Sequence, residues 1–332
     1  MSGNKTAVIN SKSFGRYFPE QIDRLNELGG VDFYRDLDPN IEGKELAELL
    51  QQYEYIIPSV TPNFPREFFE NSPNLKMIAR HGLGYNNVDI EAATDHGVYV
   101  TKIVGDYERD TVAELSVAFV MALIRHVVPA DYALKQGEWG KKANFFGTEL
   151  HALTLGIIGL GNIGSRVSEI IHNGFGTEVI AYDPNVSAQK MKEHGAIKVE
   201  LDELLERSDV ISLNAAITET SLYLLGADEF AKMKDGVLIA NTARGALVVE
   251  DDLVAALDSG KVKAYATDVF ETEPIPEDSR LKNYEYNILT PHIGAYTDIS
   301  LKLMGDKVVE DVALMEAGKE PIEIINKEVL NK

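Results

Sequence analysis

The residues most able to do chemistry stand in five short segments of this 332-residue chain. Gly159-Leu160-Gly161-Asn162-Ile163-Gly164 follows the apolar run Leu155-Gly-Ile-Ile158 and precedes a helix-like stretch. A lone GxGxxG string is weak evidence, but a strand before it and a helix after it make a dinucleotide fingerprint. Gly159 permits the tight turn, Gly161 lets backbone approach a pyrophosphate, and Gly164 allows close helix–strand packing. The helix N-terminus then offers N–H groups to the phosphate charge. Roughly 20 residues on, at the spacing such folds use, the next apolar run ends in Ala181-Tyr-Asp183-Pro. A carboxylate there accepts bonds from ribose hydroxyls and repels a 2′-phosphate. With no arginine or lysine in Asp183-Pro-Asn-Val-Ser-Ala, the expected cofactor is NAD rather than NADP.

The other four segments are Gly82-Leu83-Gly84-Tyr-Asn-Asn-Val-Asp89, Asn241-Thr242-Ala-Arg244-Gly245, Asp268-Val-Phe-Glu271-Thr-Glu273-Pro274 and Pro291-His292-Ile-Gly294. Hydride exchange between a dinucleotide and a carbonyl needs a proton donor of pKa near working pH, and an acidic substrate also needs a cation for its carboxylate. Histidine is the natural donor, and the chain has seven.

The elements that must position these groups alternate between short apolar runs and helix-like segments. Strands are expected at 7–10, 55–57, 75–79 and 98–101, with helices at 20–28, 43–50 and 89–96 between them. Thr111-Val-Ala-Glu114 reads as a capping box opening an apolar helix over 112–124, which must be buried on most sides. A second series follows, with strands at 154–158, 178–182, 210–213, 237–240, 264–267 and 287–290 and helices at 162–172, 201–207 and 250–257. Strand–helix alternation implies parallel sheets covered on both faces. A final helix over 298–317 is expected to cross back onto the first series. Trp139, Tyr53 and Tyr55 read as packing residues.

Bulk composition narrows the class. Hydrophobic residues are 45% and charged residues 26%, an ordinary globular mixture in a chain long enough for two domains. No cysteine is present, which excludes disulfides, thiolate metal sites and a cysteine nucleophile. The net charge of −21 repels nucleic-acid backbones and obliges an anionic substrate to find locally placed cations. No apolar run reaches the length of a membrane span, so a cytoplasmic protein without membrane or nucleic-acid partners is expected.

From about residue 75 onward the five segments, in this order, resemble the signatures of the D-isomer-specific 2-hydroxyacid dehydrogenases. The resemblance implies an α/β fold of two Rossmann/flavodoxin-like, doubly wound parallel-sheet domains with a cleft between them. The substrate domain would comprise 1–103 plus 297–332 and the NAD-binding domain 104–296, in a homodimer built on the helix over 112–124. It further implies that Arg244 holds the carboxylate and carbonyl of a small 2-oxo acid through its planar fork. His292 would be the acid/base, and Glu273 would bond its ring and keep it protonated to higher pH. Glu271 is the nearby decoy. The N–H groups of Leu83 and Gly84 would cradle the carboxylate, and Thr242 and Asp268 would join the fingerprint and Asp183 as cofactor contacts. His81 reads as a structural or substrate-rim residue, and no histidine spacing suggests a metal.

Two departures stand out. Leu213-Asn214-Ala-Ala216 replaces the histidine and proline usual there, and Glu108 replaces a common asparagine. Ile57-Pro58-Ser59-Val60-Thr61 lacks the arginines of phosphoglycerate dehydrogenases, so an unphosphorylated 2-oxo acid is favoured over 3-phosphoglycerate. Glu273 argues against the formate dehydrogenases, which pair the histidine with glutamine. A non-catalytic NAD-sensing protein on the same fold is the rival from another class.

Overall fold

The computed structural model describes residues 5–331. They form two compact units, one running to Glu108 and resuming at Tyr296, the other Arg109–Ala295. The division between the units falls between Glu108 and Arg109, inside a helix; the sequence expectation set it at 103/104. The return lies one residue before the expected 296/297.

In the first unit, β1 (Thr6–Ile9), β2 (Val31–Tyr34), β3 (Tyr55–Pro58), β4 (Met77–Ala79) and β5 (Tyr99–Thr101) form one sheet in the order β2-β1-β3-β4-β5. Every pairing is parallel. The central strands are short apolar runs because helices cover both faces. One face carries Leu46, Phe64, Phe68 and Ala92, the other Leu25, Val308, Val309 and Val312. The last three belong to the C-terminal helix Asp298–Glu316, which lies against Val8, Ile57 and Met77. Its buried Lys307 and Asp311 pair at 2.5 Å, and Asp311 also accepts bonds from the Thr101 hydroxyl at 2.6 Å and the Ile322 N–H at 2.9 Å. The sheet is thereby bolted to the returning segment. Sequence pattern misses β2, an edge strand in which only Val31 is fully buried. Asn10, expected at the end of β1, instead turns the chain at φ 51° and bonds Leu37 and Thr61 through its amide.

The second unit orders its strands β12-β11-β10-β9-β6-β7-β8. They are β6 (Thr154–Ile158), β7 (Glu178–Tyr182), β8 (Ile197–Lys198), β9 (Val210–Leu213), β10 (Val237–Asn241), β11 (Val262–Thr267) and β12 (Ile288–Leu289). This is a doubly wound parallel sheet that reverses direction between β6 and β9. Ligands in such sheets bind at the carboxyl ends of the strands beside that reversal.

Two local expectations need correction. The apolar helix is Asp106–Ile124, so Thr111 lies in its interior and is no cap; its hydroxyl donates to the Gly294 carbonyl at 3.1 Å. Asp106 and Glu108 suit the positive end of the helix dipole, and a capping-box pattern inside a helix carries no start signal of its own. Trp139 is 74% exposed and packs on no core, whereas Tyr53 and Tyr55 are buried. No single helix among the described residues is long and apolar enough to cross a membrane.

Candidate active site

The fingerprint occupies the turn between β6 and the helix Asn162–Phe175. Gly159 sits at φ +89°, and a Cβ there would come 2.6 Å from the Ala215 backbone. A Cβ on Gly164 would lie 2.1 Å from the Gly159 carbonyl oxygen. Both glycines are therefore demanded by packing, Gly159 against the segment after β9 and Gly164 within the turn itself. Gly161 differs, since a Cβ on it meets nothing within 4 Å. Its missing side chain leaves an open approach to backbone at a helix N-terminus with no side-chain cap, where first-turn N–H groups lack intrahelical acceptors. The Asp183 carboxylate at the end of β7 accepts from Leu160 N–H at 3.0 Å and Asn185 N–H at 2.9 Å. Each oxygen keeps a lone pair for a ribose hydroxyl. Asn214, at the end of β9, gives its amide nitrogen to Ser212 at 2.9 Å and leaves its buried amide oxygen without a partner among the described residues. An open cradle, a poised carboxylate and an orphaned polar atom fit a dinucleotide.

The residues expected to react, Arg244, Glu273 and His292, follow β10, β11 and β12 in turn. His292 Nδ1 and Glu273 Oε2 are 2.7 Å apart, and Glu273 Oε1 accepts the Phe270 N–H at 3.0 Å. Burial alone would lower the His292 pKa, but the bond and charge of Glu273, helped by Asp268, outweigh it and the net shift is upward. Burial likewise pushes Glu273 up, and its bond and charge contact with His292, the Phe270 N–H and the Arg244 charge bring it net down. The two directions agree on an imidazolium–carboxylate pair. His292 holds φ 54°, a conformation that costs a non-glycine residue energy and is characteristic of functional sites. Glu271, the decoy, is exposed and takes the Tyr223 hydroxyl at 2.6 Å instead.

Arg244 is half-buried and bonds its own neighbour, Nη1 donating to the Ala243 carbonyl at 2.6 Å. Among the described residues it forms no ion pair, in a chain carrying 53 acidic groups. Its turn is held by Asn241, whose Nδ2 donates to the Arg244 carbonyl and to the Tyr265 hydroxyl, both at 2.9 Å. A Cβ on Gly245 would be 2.0 Å from the Phe270 carbonyl carbon, so the Arg244 turn and the segment leading to Glu273 touch backbone to backbone.

Thr242 and Asp268 are committed to internal bonds. The Thr242 hydroxyl meets Ser116 at 2.5 Å, and buried Asp268 accepts from the Thr290 hydroxyl at 2.5 Å, Ile293 N–H at 2.8 Å and Gly294 N–H at 2.7 Å. Burial raises the Asp268 pKa, against those bonds and the His292 charge. Asp268 thus shapes the His292 loop from beneath. Of the supporting residues Asn241, Tyr265 and Ser116, the sequence marks only Asn241, which opens the Asn-Thr-Ala-Arg-Gly motif.

Leu83 and Gly84 belong to the first unit, in the loop after β4. Their N–H groups and that of Tyr85 have no acceptor among the described residues. His81 beside them is buried, with Nδ1 2.9 Å from Ser11 Oγ. Burial, with the Arg80 charge, pushes its pKa down to about 3, so this ring stays neutral. No cluster of three or more metal-ligating side chains occurs among the described residues.

Residues 117–294 match the family described as D-isomer specific 2-hydroxyacid dehydrogenase, NAD binding domain. A glyoxylate reductase of Thermococcus litoralis is 34% identical over 95% of this chain and 96% of its own. A hydroxypyruvate reductase of Thermotoga maritima is 38% identical over 82% of this chain and 88% of its own. The crystal structure of D-lactate dehydrogenase from Aquifex aeolicus, complexed with NAD and lactic acid, superposes with a TM-score of 0.85. It is 29% identical and covers 97% of this chain and 99% of that one. The chain belongs to the D-isomer specific 2-hydroxyacid dehydrogenase family, as its sequence motifs suggested. It is an NAD-dependent oxidoreductase acting on the CH–OH group of 2-hydroxy acids.

Proposed function

We propose that this enzyme reduces a small, unphosphorylated 2-oxo acid, with Arg244, Glu273 and His292 as the reacting centre. The observation that carries the reading is a guanidinium that forms no ion pair among the described residues, in the same cluster as an imidazolium held by a carboxylate. Bound NADH supplies the hydride to the 2-carbon. His292, fixed through Nδ1, presents Nε2 and gives its proton to the carbonyl oxygen, or takes it back from the alcohol in reverse. Arg244 is the cation for a substrate carboxylate, and within the first unit the open N–H groups of Leu83 and Gly84 are suited to binding a carboxylate. Gly159 to Gly164 seat the pyrophosphate and Asp183 binds the adenosine ribose, while Thr242 and Asp268, held by internal bonds, support the segments beside the cofactor rather than touching it.

Relatives named for glyoxylate and hydroxypyruvate reduction put those two acids first among substrates. Arg80, the guanidinium beside the glycine loop, spends Nε and Nη1 on backbone carbonyls, which favours an unphosphorylated substrate over 3-phosphoglycerate. A homodimer is part of the proposal. The helix Val127–Lys135 and the turns after it expose Val127, Tyr132, Leu134, Trp139 and Phe146, an apolar set suited to burial against a second copy. A cytoplasmic location completes it, resting on the NAD-dependent chemistry of the family.

NADH oxidation should be followed with glyoxylate, hydroxypyruvate, pyruvate, 2-oxoisocaproate and phenylpyruvate, in wild-type protein and in His292→Ala. Turnover of at least one acid, falling about 100-fold or more in the variant, supports the reading. Tight NADH binding without turnover of any would overturn it.

A further inference from the structure

Arg80 follows β4 directly and is 1% exposed, the largest fully buried side chain among the described residues. Nothing in the reaction described above uses it. Its Nε donates to the Gly84 carbonyl at 2.8 Å, and its Nη1 to the Pro58 carbonyl at 2.6 Å and also to that of Ser59. A Cβ on Gly82 would stand 3.4 Å from Nη2 and 3.9 Å from Glu108 Oε1, so the loop passes directly over the guanidinium. One planar cation therefore gathers carbonyls from the end of β3 and from the glycine loop, all on its own side.

Peptide planarity turns that grip into an orientation. With the Gly84 carbonyl drawn toward Arg80, the N–H of the same trans peptide, that of Tyr85, must point the opposite way. The N–H groups of Leu83, Gly84 and Tyr85 all lack acceptors among the described residues. Consecutive unpaired N–H groups in a loop make an anion-binding concavity. Asn87 supports the same seat, giving its amide nitrogen to the Pro62 carbonyl at 2.9 Å.

We propose that Arg80 is a positioning residue that holds the Gly82–Tyr85 loop as a cradle for the substrate carboxylate while touching no substrate itself. The proposal rests on the reading that this loop binds the carboxylate. Arg80→Met removes the donors and keeps the stem, whereas Arg80→Lys keeps the charge and loses the fork.

Amide hydrogen exchange over 82–86 should be measured with saturating NADH, with and without oxamate, the amide isostere of pyruvate, and oxamate affinity should be titrated alongside. Wild-type protein is expected to gain protection in the loop when oxamate binds. Both variants should lose that protection and bind oxamate roughly tenfold or more weakly, the worth of one misaimed charge-assisted bond, with NADH affinity unchanged. No gain of protection in wild-type protein overturns the carboxylate reading, and the role of Arg80 with it. Protection and affinity preserved in both variants overturn the role of Arg80 alone. Should Arg80→Met not fold, Arg80→Lys decides the matter.

Discussion

Alanine at Gly161 and alanine at Gly164 should fail in opposite ways, although both residues belong to one motif. Gly161 has φ −76° and ψ −153°, at the edge of the extended region and without the positive φ that demands glycine, and its Cβ would project into space with no neighbour within 4 Å. Folding should be nearly indifferent, within about 0.5 kcal/mol as for surface positions. The added methyl fills the approach a pyrophosphate needs, and one lost charge-assisted bond of about 1.5–3 kcal/mol corresponds to roughly 10–100-fold weaker NADH binding. Gly164 places its Cβ 2.1 Å from the Gly159 carbonyl oxygen and 3.2 Å from Asn214 Cβ. A backbone oxygen cannot swing aside as a flexible side chain does, so overpacking should cost about 1–3 kcal/mol. For a unit of this size that lowers the melting midpoint by roughly 2–12 °C. Thermal melts and NADH fluorescence titrations on the two variants give the comparison. Wild-type NADH affinity in Gly161→Ala would show that the pyrophosphate does not lie against this turn, and a wild-type melt for Gly164→Ala would refute the packing argument.

Glu273→Gln removes the charge that raises the His292 pKa. Burial and the Arg244 charge then pull downward, opposed only by Asp268. With His292 as the proposed acid, reduction needs imidazolium, so the alkaline limb of its pH–rate profile should move to lower pH; a profile that stays in place assigns the tuning elsewhere. Asp183→Ala should cost NADH about tenfold in affinity and raise the NADPH/NADH preference, and an unchanged ratio in steady-state kinetics removes Asp183 from cofactor discrimination. Asp311→Ala strands Lys307 in the core with the Thr101 hydroxyl and Ile322 N–H unanswered. Denaturant unfolding should register a loss of about 3–5 kcal/mol, and a loss below 1 would mean that solvent reaches the pair.

Much of the chemistry was local in the sequence because each motif folds on itself. The fingerprint is a turn between a strand and the helix that follows, so glycine spacing and flanking apolar runs suffice to define it. Asp183 ends the next strand, and chain order places it across from the turn, where it meets Leu160 N–H. The parallel character of both sheets was equally legible, since buried strands must be short and apolar throughout.

Tertiary structure decided what no spacing encodes. Glu273 rather than Glu271 meets His292 because the Phe270 N–H holds the Glu273 carboxylate inward while Tyr223 draws Glu271 out. Thr111 resembled a cap, yet the helix begins at Asp106, because burial of its apolar face and contact with Gly294 outweigh a local hydrogen-bond preference. Arg80 gave no sign of its place, since a charged residue after an apolar strand reads as solvent-facing until two distant loops are seen to bring their carbonyls to it. Short-range rules determined the turns and strands. Which polar group is buried, and with what partner, depends on segments far apart in the chain, and only their packing together settles it.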